Sequence, residues 1–337
     1  AQVTLTSHSD GDAKWYFNPI AVTAGQFYLF SNKYKSTTDS HVVVEFRHGN
    51  GSLSYQELGS KPSSSDAWQT FSSGFNVPAT ASTLTVYHLI NTVGSLTIDD
   101  YSLAPSNNPN TFTKGLVSLS FDDGWKSIYE NGIPILNTAG YKSTQYIVTQ
   151  ADPANGYMTT VQINTMASQG HEISGHTKTH ADLVTLNTTQ LQNEVQGSRN
   201  DLLNLGFSPV SNMAFPYGSF NATVKQAAQA AGFTAARSVN TGFNDKSSDR
   251  YELKGVSATR GGVCEGENVP VTTLDDMKAA IDSAAQNKTW LILIFHEIDN
   301  DPSRCYGVSP TFLQGVVDYL GTKNVDVVTV NEGLSHP

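Results

Sequence analysis

A run of strand character that begins at Leu116 ends in the stretch Ser120-Phe121-Asp122-Asp123-Gly124 (SFDDG). Downstream, the stretch His176-Thr177-Lys178-Thr179-His180 (HTKTH) carries two histidines four positions apart. This spacing predicts the start of a helix with both imidazole rings on one face. One carboxylate and two imidazoles are ligands of the kind that a catalytic zinc uses, with a fourth position left for water. Because the second aspartate is then free to act as a base, the pattern predicts a metal-dependent hydrolase.

Around these motifs, from residue 114 onward, segments of strand and helical character alternate. A glycine follows four of the predicted helices, and glycine is a common stop signal just past a helix. The alternation predicts a parallel sheet, closed or nearly closed, with helices outside it. The expected strands are residues 116–121, 143–148, 171–174, 210–214, 235–239, 290–295 and 325–329, and the expected helices are residues 127–139, 161–169, 188–205, 222–231, 274–286 and 310–320.

Residues 1–103 have a different pattern, in which short β-branched or alternating runs are separated by Ser, Gly, Asn and Pro clusters. This pattern predicts an all-β domain, either a two-sheet sandwich or a jelly roll. The polar residues 104–113 then form a linker, and residues 114–337 form a second domain of the α/β class. The expected strands of the first domain are residues 2–6, 26–31, 41–47, 83–89 and 95–103.

Four motifs, in this order, resemble those of the polysaccharide deacetylases of the NodB-homology type, carbohydrate esterase family 4. The first, [ST]-F-D-D-G, matches Ser120–Gly124, and the second, H-[ST]-x-x-H, matches His176–His180. The third ends in P-[YF]-G and matches Pro216–Gly218, and the last places His296 after the apolar run Leu291–Phe295. The resemblance covers residues 114–337 and implies a distorted (β/α)7-like barrel.

The resemblance also implies a cofactor and a mechanism. Zn²⁺ or another divalent transition metal would activate a water molecule that attacks an acetyl carbonyl, with Asp122 as the general base. His296 would protonate the leaving group, and the backbone N–H of Tyr217 would help to hold the oxyanion. The implied metal ligands are Asp123, His176 and His180, and the implied substrate contacts are Trp125, Pro216, Tyr217 and Ile294, the last as part of a pocket for the acetyl methyl group.

The sequence departs from the family pattern in two places. Many members have an arginine two residues before the proline of the third motif, where this chain has Ala214, and the usual D-x-x-D-W segment is not recognisable. Arg237 is the first candidate for the missing positive charge, and Arg260 is the second. Asp245 and Asp249 are candidates to partner the catalytic histidine, and His171 is interpreted as structural.

The stretch Gly94–Leu103 resembles the closing strand of jelly-roll carbohydrate-binding modules. Such modules often hold a structural Ca²⁺, for which Asp10, Asp12 and Asp99 are the candidate ligands. Aromatic residues of this domain are candidates for stacking on sugar rings, although most are expected in the core. These aromatic residues are Trp15, Tyr16, Tyr34, Trp68 and Tyr87.

The composition indicates which partners the protein is not expected to bind and in which compartment it is expected. The net charge of −10, from 20 basic and 30 acidic residues, argues against nucleic acid or an anionic membrane as a partner. No apolar run approaches the roughly 20 residues of a membrane span. Cys264 and Cys305 lie in two loops where a disulfide is favoured over free thiols, so we expect a secreted or extracytoplasmic protein. Ala1-Gln2 is compatible with a mature terminus left after cleavage of a signal peptide, which the sequence alone does not prove. No pattern indicates an oligomer, and a monomer is assumed.

Three functions stay open at this point. The first is removal of N-acetyl groups from polymers of the N-acetylglucosamine type, which is favoured. The second is removal of O-acetyl groups from xylan, and the third is a non-catalytic polysaccharide-binding wall protein with a degenerate barrel. A glycoside hydrolase is disfavoured, because the adjacent Asp122 and Asp123 cannot flank a glycosidic bond at the roughly 5–9 Å that such enzymes need.

Overall fold

In the computed structural model, the described residues are 1–49, 51–78, 80–107, 109–264 and 266–336. The chain divides into two compact units, Ala1–Pro109 and Asn110–Pro337. This division lies inside the segment 104–113 that the sequence suggests as a linker. The last strand of the first unit continues to Pro105, so Ala104 and Pro105 belong to that unit, and Asn108 lies outside the described residues.

Nine antiparallel strands lie in the described part of the first unit. They are β1 (Gln2–Leu5), β2 (Ala13–Trp15), β3 (Ile20–Ala21), β4 (Phe27–Ser36), β5 (Ser40–His48), β6 (Leu53–Lys61), β7 (Ser64–Asn76), β8 (Ala81–Ile90) and β9 (Gly94–Pro105). One sheet has the order β1-β9-β4-β7, and the other has the order β2-β8-β5-β6 with β3 beside β8. The predicted sandwich is therefore confirmed. The sequence does not predict β6 and β7, because most of their side chains are exposed and lack apolar alternation.

A single hydrophobic core lies between the two sheets of the first unit. Alternate residues of β4 and β5 point into it, among them Phe30, Val44 and Phe46. Of the aromatic residues considered for sugar stacking, Tyr34 and Tyr87 are buried, so only part of that set faces solvent. The exposed members are Trp15, Tyr16 and Trp68.

His88 is fully buried between these sheets, where Asn32 and Ser40 hydrogen-bond to its ring. Burial lowers the pKa of His88 from 6.5 to about 4, so between these values the unfolded chain binds a proton more readily than the folded chain. The folded state should therefore lose up to about 3 kcal/mol of stability as pH falls through this window. Urea unfolding at pH 7 and pH 4.5 should show a larger loss for the wild-type chain than for a His88→Gln variant. Equal losses of stability in the two chains would show that protonation of His88 is not the cause.

In the second unit, the described ranges 110–264 and 266–336 hold ten strands and seven α-helices. The strands are β10 (Gly115–Phe121), β11 (Thr144–Ile147), β12 (Glu172–Gly175), β13 (Asn212–Ala214), β14 (Ala235–Thr241), β15 (Leu253–Ser257), β16 (Gly262–Cys264), β17 (Glu267–Val269), β18 (Trp290–Phe295) and β19 (Val325–Val327). The helices are α1 (Ile133–Ala139), α2 (Thr160–Ser168), α3 (Thr188–Asn204), α4 (Ala222–Ala230), α5 (Leu274–Asn287), α6 (Pro310–Leu320) and α7 (Val330–Ser335). None of the described helices is long and apolar enough to cross a bilayer.

Seven parallel strands close into a barrel in the order β10-β11-β12-β13-β14-β15-β18, after which β18 pairs with β10. The distortion lies at β10. Its first residues, Gly115–Val117, pair with β19, while β11 pairs with it only at Ser120 and Phe121. The expected (β/α)7-like barrel is thus confirmed, with β19 inserted at the amino-terminal end of the gap between β10 and β11. The short strands β16 and β17 form a separate antiparallel hairpin.

Several predicted elements differ in detail from the structure. The helix expected over residues 127–139 is divided into a π-helical turn, Ile128–Gly132, and α1, which holds Pro134 in its first turn, where proline is tolerated. The strand expected from His171 begins one residue later. His171 is buried against Ser143, whose backbone N–H donates to its Nδ1 atom at 3.2 Å, so its role is structural.

Candidate active site

Asp122 and His296 follow neighbouring strands and lie side by side. Strands β10 and β18 pair Phe121 with Phe295, and the backbone N–H of Asp122 donates to the carbonyl oxygen of Phe295 at 2.9 Å. Because side chains alternate along a strand, the two side chains face the same side at the carboxyl end of the barrel. Barrel enzymes place their active sites at this end.

Asp123 reaches the same region through an unusual backbone conformation. Its φ angle is +71°, and Gly124 follows with φ +87°, so both residues are left-handed. A non-glycine residue in this region is strained by roughly 1–2 kcal/mol, and the contacts of the Asp123 carboxylate described below hold it there. The turn brings consecutive carboxylates to one site, although regular strand geometry would point them to opposite faces.

The HTKTH stretch does not open a helix, and that prediction is wrong. Residues 176–180 form an irregular loop after β12, in which Thr177 and His180 have φ angles of +65° and +62°. The Thr177 hydroxyl accepts a hydrogen bond from the backbone N–H of His180 at 3.1 Å. The two rings converge because two left-handed residues fold the loop back, and their centroids lie 4.9 Å apart.

Glu194 on α3 stabilises this histidine loop, and the sequence analysis misses it. Its buried carboxylate accepts hydrogen bonds from the backbone N–H groups of Lys178 and Thr179 at 3.0 and 2.9 Å and from the Thr179 hydroxyl at 2.9 Å. Hydrogen bonds to a charged acceptor contribute roughly 1.5–3 kcal/mol each. Buried acids inside helices are rare, so an isolated glutamate on an otherwise polar helix gives no signal of this role in the sequence.

Replacing Glu194 by leucine should weaken zinc binding by about 10–100-fold, because the two loop N–H groups lose their acceptor and the histidines lose their fixed positions. A glutamine variant keeps one oxygen acceptor and should lose less. Competition with a chromophoric chelator measures the zinc affinity of the metal-stripped chains. Thermal unfolding without metal controls for a general loss of structure. An unchanged affinity in a folded Glu194→Leu variant would contradict this role.

The geometry of three side chains fits a tetrahedral metal. The Oδ1 atom of Asp123 lies 3.4 Å from the Nε2 atoms of both His176 and His180, and one ligand atom from each of the three residues lies within 4.8 Å of the others. Two ligands about 2.1 Å from a tetrahedral zinc are separated by about 3.4 Å. The Oδ1 atom of Asp123 is buried without a hydrogen-bond partner among the described residues, as expected for an atom that binds a metal.

Neighbouring groups orient these candidate ligands. The Nδ1–H group of His176 donates to the carbonyl oxygen of Ala214 at 2.9 Å, which leaves the Nε2 lone pair free to bind a metal. The indole N–H of Trp125 donates to the Oδ2 atom of Asp123 at 2.9 Å. Trp125, expected only as a substrate contact, therefore also orients a candidate metal ligand. Its indole ring stacks on Tyr157 with the ring centroids 4.2 Å apart.

The electrostatic environment favours protonation states suited to metal binding at Asp123 and His180. Burial opposes ionisation of Asp123, but the close approach of His176 and the charges of the nearby histidines outweigh it and hold the pKa of Asp123 well below its usual value. Burial lowers the pKa of His180 to about 4, so this ring is neutral near pH 7. Burial also opposes protonation of His176, but Asp122 and Asp123 raise the pKa of this ring, and a metal would compete with that proton.

Asp122, Arg237 and His296 form a second cluster beside the metal ligands. Arg237, on β14, is fully buried, and its guanidinium forms an ion pair with the Oδ2 atom of Asp122. The Nε2 atom of His296 lies 3.9 Å from the same carboxylate oxygen. The Oδ1 atom of Asp122 is buried and has no hydrogen-bond partner among the described residues. An arginine on β14 thus occupies the place that Ala214 leaves unfilled, because β13 and β14 pair Ala214 with Arg237.

The other candidates for these roles lie elsewhere. Arg260 donates to carbonyl groups of residues 299–304, and Asp249 pairs with Lys225. Asp245 follows Asn244, whose backbone pairs with Trp290 at the start of β18, so it lies at the opposite end of that strand from His296. The suggestion that Asp245 or Asp249 partners the catalytic histidine is therefore wrong.

The remaining predicted contacts surround the site to different degrees. Tyr217 has a φ angle of +58°, and its exposed ring packs edge-on to His180 with the centroids 4.7 Å apart. Pro216 is buried at the start of the same turn. Ile294 is fully buried two residues before His296, so it lines the barrel interior below that histidine. The predicted disulfide between Cys264 and Cys305 is present, with the Cα atoms 6.1 Å apart.

The predicted calcium site in the first unit finds no support. Within the described ranges, the one group of three or more acidic, histidine or cysteine side chains whose ligand atoms converge is the Asp123, His176 and His180 set. Asp12 pairs with Lys14, and the carboxylates of Asp10 and Asp99 accept hydrogen bonds from the backbone of the next residue. The three acids suggested for calcium are therefore engaged separately.

Known proteins resemble this chain over its second unit. Residues 109–236 match the family model described as polysaccharide deacetylase. One relative is YxkH of Bacillus subtilis (strain 168), whose name describes an inferred and not an established polysaccharide deacetylase. It is 26% identical over 43% of this chain and 52% of its own length. A chitin deacetylase of Pestalotiopsis sp is 31% identical over 34% of this chain and 36% of its own length. The chain thus matches about half or less of these relatives.

Among solved structures, the Xyl-CE4 domain of a multidomain xylanase from the hindgut metagenome of Trinervitermes trinervoides is similar to 65% of this chain and 89% of that chain. Its sequence identity is 19%, and the TM-score is 0.45. The matched family segment contains Asp122, Asp123, His176, His180 and Tyr217, the residues that carry the first three motifs. Residues 109–236 therefore match a polysaccharide deacetylase domain, the family of the NodB-homology type, carbohydrate esterase family 4, that the motifs resemble.

Proposed function

We propose that this protein is a secreted, zinc-dependent deacetylase of polysaccharides, with the N-acetyl groups of N-acetylglucosamine-type polymers as the favoured target. The observation that carries the proposal is the convergence of Asp123, His176 and His180 beside a buried Asp122–Arg237 pair. A lone metal site would suit many proteins. A metal site next to a carboxylate and a histidine on separate strands suits hydrolysis, because base and acid are both in reach.

Each residue has a role that follows from its position. A zinc ion in this site would supply a Lewis acid, which polarises a carbonyl group and makes a water molecule easier to deprotonate. The Oδ1 atom of Asp122 accepts the proton of the attacking water, because its other oxygen is engaged by Arg237. His296 then delivers a proton to the nitrogen or oxygen atom that leaves. The backbone N–H of Tyr217 donates to the oxyanion, a contact typically worth about 3 kcal/mol.

The compartment and the first unit are part of the same proposal. The Cys264–Cys305 disulfide supports an oxidising compartment, since such bonds are rare in the reducing cytosol. The exposed Trp15, Tyr16 and Trp68 support a carbohydrate-binding role for the first unit, which would keep the chain on an acetylated polysaccharide. The presence of Asp122, Asp123, His176, His180 and His296 together argues against the alternative of a binding-only protein.

A substrate panel tests the proposal and separates its two acetyl chemistries. Acetate release should be measured on N-acetylated chitooligosaccharides and on acetylxylan, first after chelation of metal and then after zinc is added back. Zinc-restored release from the chitooligosaccharides supports the favoured target. Release from acetylxylan alone would replace it with an O-acetyl esterase, and full activity in the chelated protein would overturn the zinc dependence.

A further inference from the structure

Residues 299–307, called here the acid-side loop, follow His296 closely in the chain. The backbone N–H of Val308 donates to the carbonyl oxygen of Glu297 at 2.9 Å, and the N–H of Asp299 donates back to the carbonyl oxygen of Val308 at 3.0 Å. The loop therefore leaves and rejoins the barrel at one point. Its position is set by the end of β18, the strand that His296 directly follows.

Three further attachments hold the acid-side loop. The disulfide joins Cys305 to Cys264 at the end of β16. The Arg260 guanidinium donates to the carbonyl oxygens of Asp299 at 2.6 Å, of Arg304 at 3.0 Å and of Asp301. The backbone N–H of Gly261 donates to the carbonyl oxygen of Cys305 at 3.0 Å. Such fixation lowers the entropic cost of any contact that the loop makes with a ligand.

The acid-side loop places two side chains at the active site. The ring of Tyr306 lies with its centroid 5.6 Å from that of His296, and 40% of this residue is exposed although its neighbour Cys305 is buried. The guanidinium of Arg304 lies 5.0 Å from the ring centroid of Trp125 and 3.3 Å from a carboxylate oxygen of Glu297. Arg304 thus contacts Trp125 and Glu297, and Tyr306 presents its exposed ring next to the proposed acid.

We propose that Tyr306 is the platform on which the acetyl-bearing sugar ring stacks, an inference that rests on the proposed function. His296 delivers its proton to the atom that joins the acetyl group to the sugar, so that sugar must lie beside His296. Tyr306 is the exposed aromatic residue on that side, and aromatic rings bury large apolar surfaces at a low cost in conformational entropy. The substrate class that fits is a chain of β-linked pyranoses with equatorial substituents, because such rings present a flat face of C–H groups.

Tyr217 provides an internal comparison for this assignment. Its ring packs against the metal-ligand candidate His180, and the residue is 61% exposed. The two tyrosines therefore flank the reacting groups from different sides, one beside the metal ligands and one beside the acid. A change at Tyr306 should affect sugar binding and leave metal binding unchanged, whereas a change at Tyr217 can disturb both.

Kinetics on two substrates test the platform. A Tyr306→Ala variant should raise the KM for an N-acetylated chitopentaose by about tenfold, the effect of losing one aromatic contact. Turnover of ethyl acetate, which has no sugar ring, and the zinc affinity should stay unchanged. A Tyr306→Phe variant should match the wild-type chain, and Leu205→Ala, which changes an exposed apolar residue just after α3, serves as the control. Equal losses on both substrates would overturn the proposal.

If the wild-type chain releases no acetate, the proposed function is overturned. The stacking role of Tyr306 can still be tested in that case by measuring sugar binding directly. Calorimetry with chitopentaose on the zinc-loaded Asp122→Asn chain should show tenfold weaker binding after Tyr306→Ala and no change after Leu205→Ala. Equal affinity for all three chains would overturn the platform, and no binding to any of them would overturn both inferences.

The disulfide gives an independent variant. A Cys264→Ser/Cys305→Ser chain should show a higher KM for chitopentaose and an unchanged zinc affinity, because the loop that carries Tyr306 loses its covalent tie. An unchanged KM in this folded variant would show that the loop needs no disulfide, and it would overturn the inference that the disulfide positions Tyr306 for sugar binding.

Discussion

Replacing Asp123 by alanine should abolish tight zinc binding and acetate release together. Its carboxylate is the one acidic group among the three converging side chains, and its Oδ1 atom lies 3.4 Å from both histidine Nε2 atoms. Removing it leaves two imidazoles, too few ligands to hold zinc at a catalytic site. A metal in such a site contributes several kcal/mol to stabilising the transition state, so activity should fall by about a thousandfold or more.

The measurements for Asp123→Ala are zinc content after dialysis and acetate release from chitooligosaccharides. Asp66→Ala, which changes an exposed aspartate of the first unit, is the matched control and should behave as the wild-type chain. The variant removes an acid from a strained left-handed turn, so its thermal unfolding should be recorded as well. A folded Asp123→Ala chain that keeps one tightly bound zinc would contradict the ligand assignment.

Replacing Asp122 by asparagine should separate chemistry from metal binding. The change removes the proposed base, and general base catalysis typically contributes about 10²–10⁴-fold, so the turnover number should fall by that factor. Zinc affinity should stay close to that of the wild-type chain, because Asp122 is not one of the three converging ligands. The KM for chitooligosaccharides should change little, since the carboxylate acts on the attacking water.

Asparagine is preferred to alanine at position 122 because of Arg237. This arginine is fully buried and pairs with the Asp122 carboxylate, and an unpaired buried charge destabilises a protein by roughly 3–5 kcal/mol. Asparagine keeps an oxygen acceptor for the guanidinium, so loss of activity is then less easily confused with unfolding. An Asp122→Asn chain with near wild-type turnover would show that another group is the base.

The sequence predicts the candidate metal ligands from local patterns and, for the choice of Asp123 over Asp122, from the order in the family motif. Two adjacent aspartates at a strand end and two histidines four apart can be read without any knowledge of distant contacts. The conformation of the histidine loop cannot be read in this way. It depends on Glu194, on a different element, and on two left-handed residues whose cost is offset only in the folded protein. For the same reason, the helical spacing correctly predicts that the rings of His176 and His180 lie close together, but wrongly predicts a helical backbone between them.

The position of Arg237 shows a similar limit. The sequence offers two arginines for one missing charge, and only the pairing of β13 with β14 decides between them. Arg260 instead holds the acid-side loop through carbonyl groups that lie far from it in sequence. Strand β15 also escapes the sequence prediction, because it is a short strand, Leu253–Ser257, with only two apolar residues and a glycine between them. Contacts between residues distant in sequence thus decide which arginine pairs with Asp122, a choice that local sequence patterns do not make.

The most direct test of the central claim is a titration of the metal-stripped chain with zinc, in which bound zinc and acetate release from N-acetylated chitooligosaccharides are measured on the same samples. We expect activity to rise in proportion to bound zinc and to reach its maximum at one zinc per chain. Full activity before zinc is added, or zinc binding that reaches one per chain without any acetate release from acetylated polysaccharides, would contradict a zinc-dependent deacetylase.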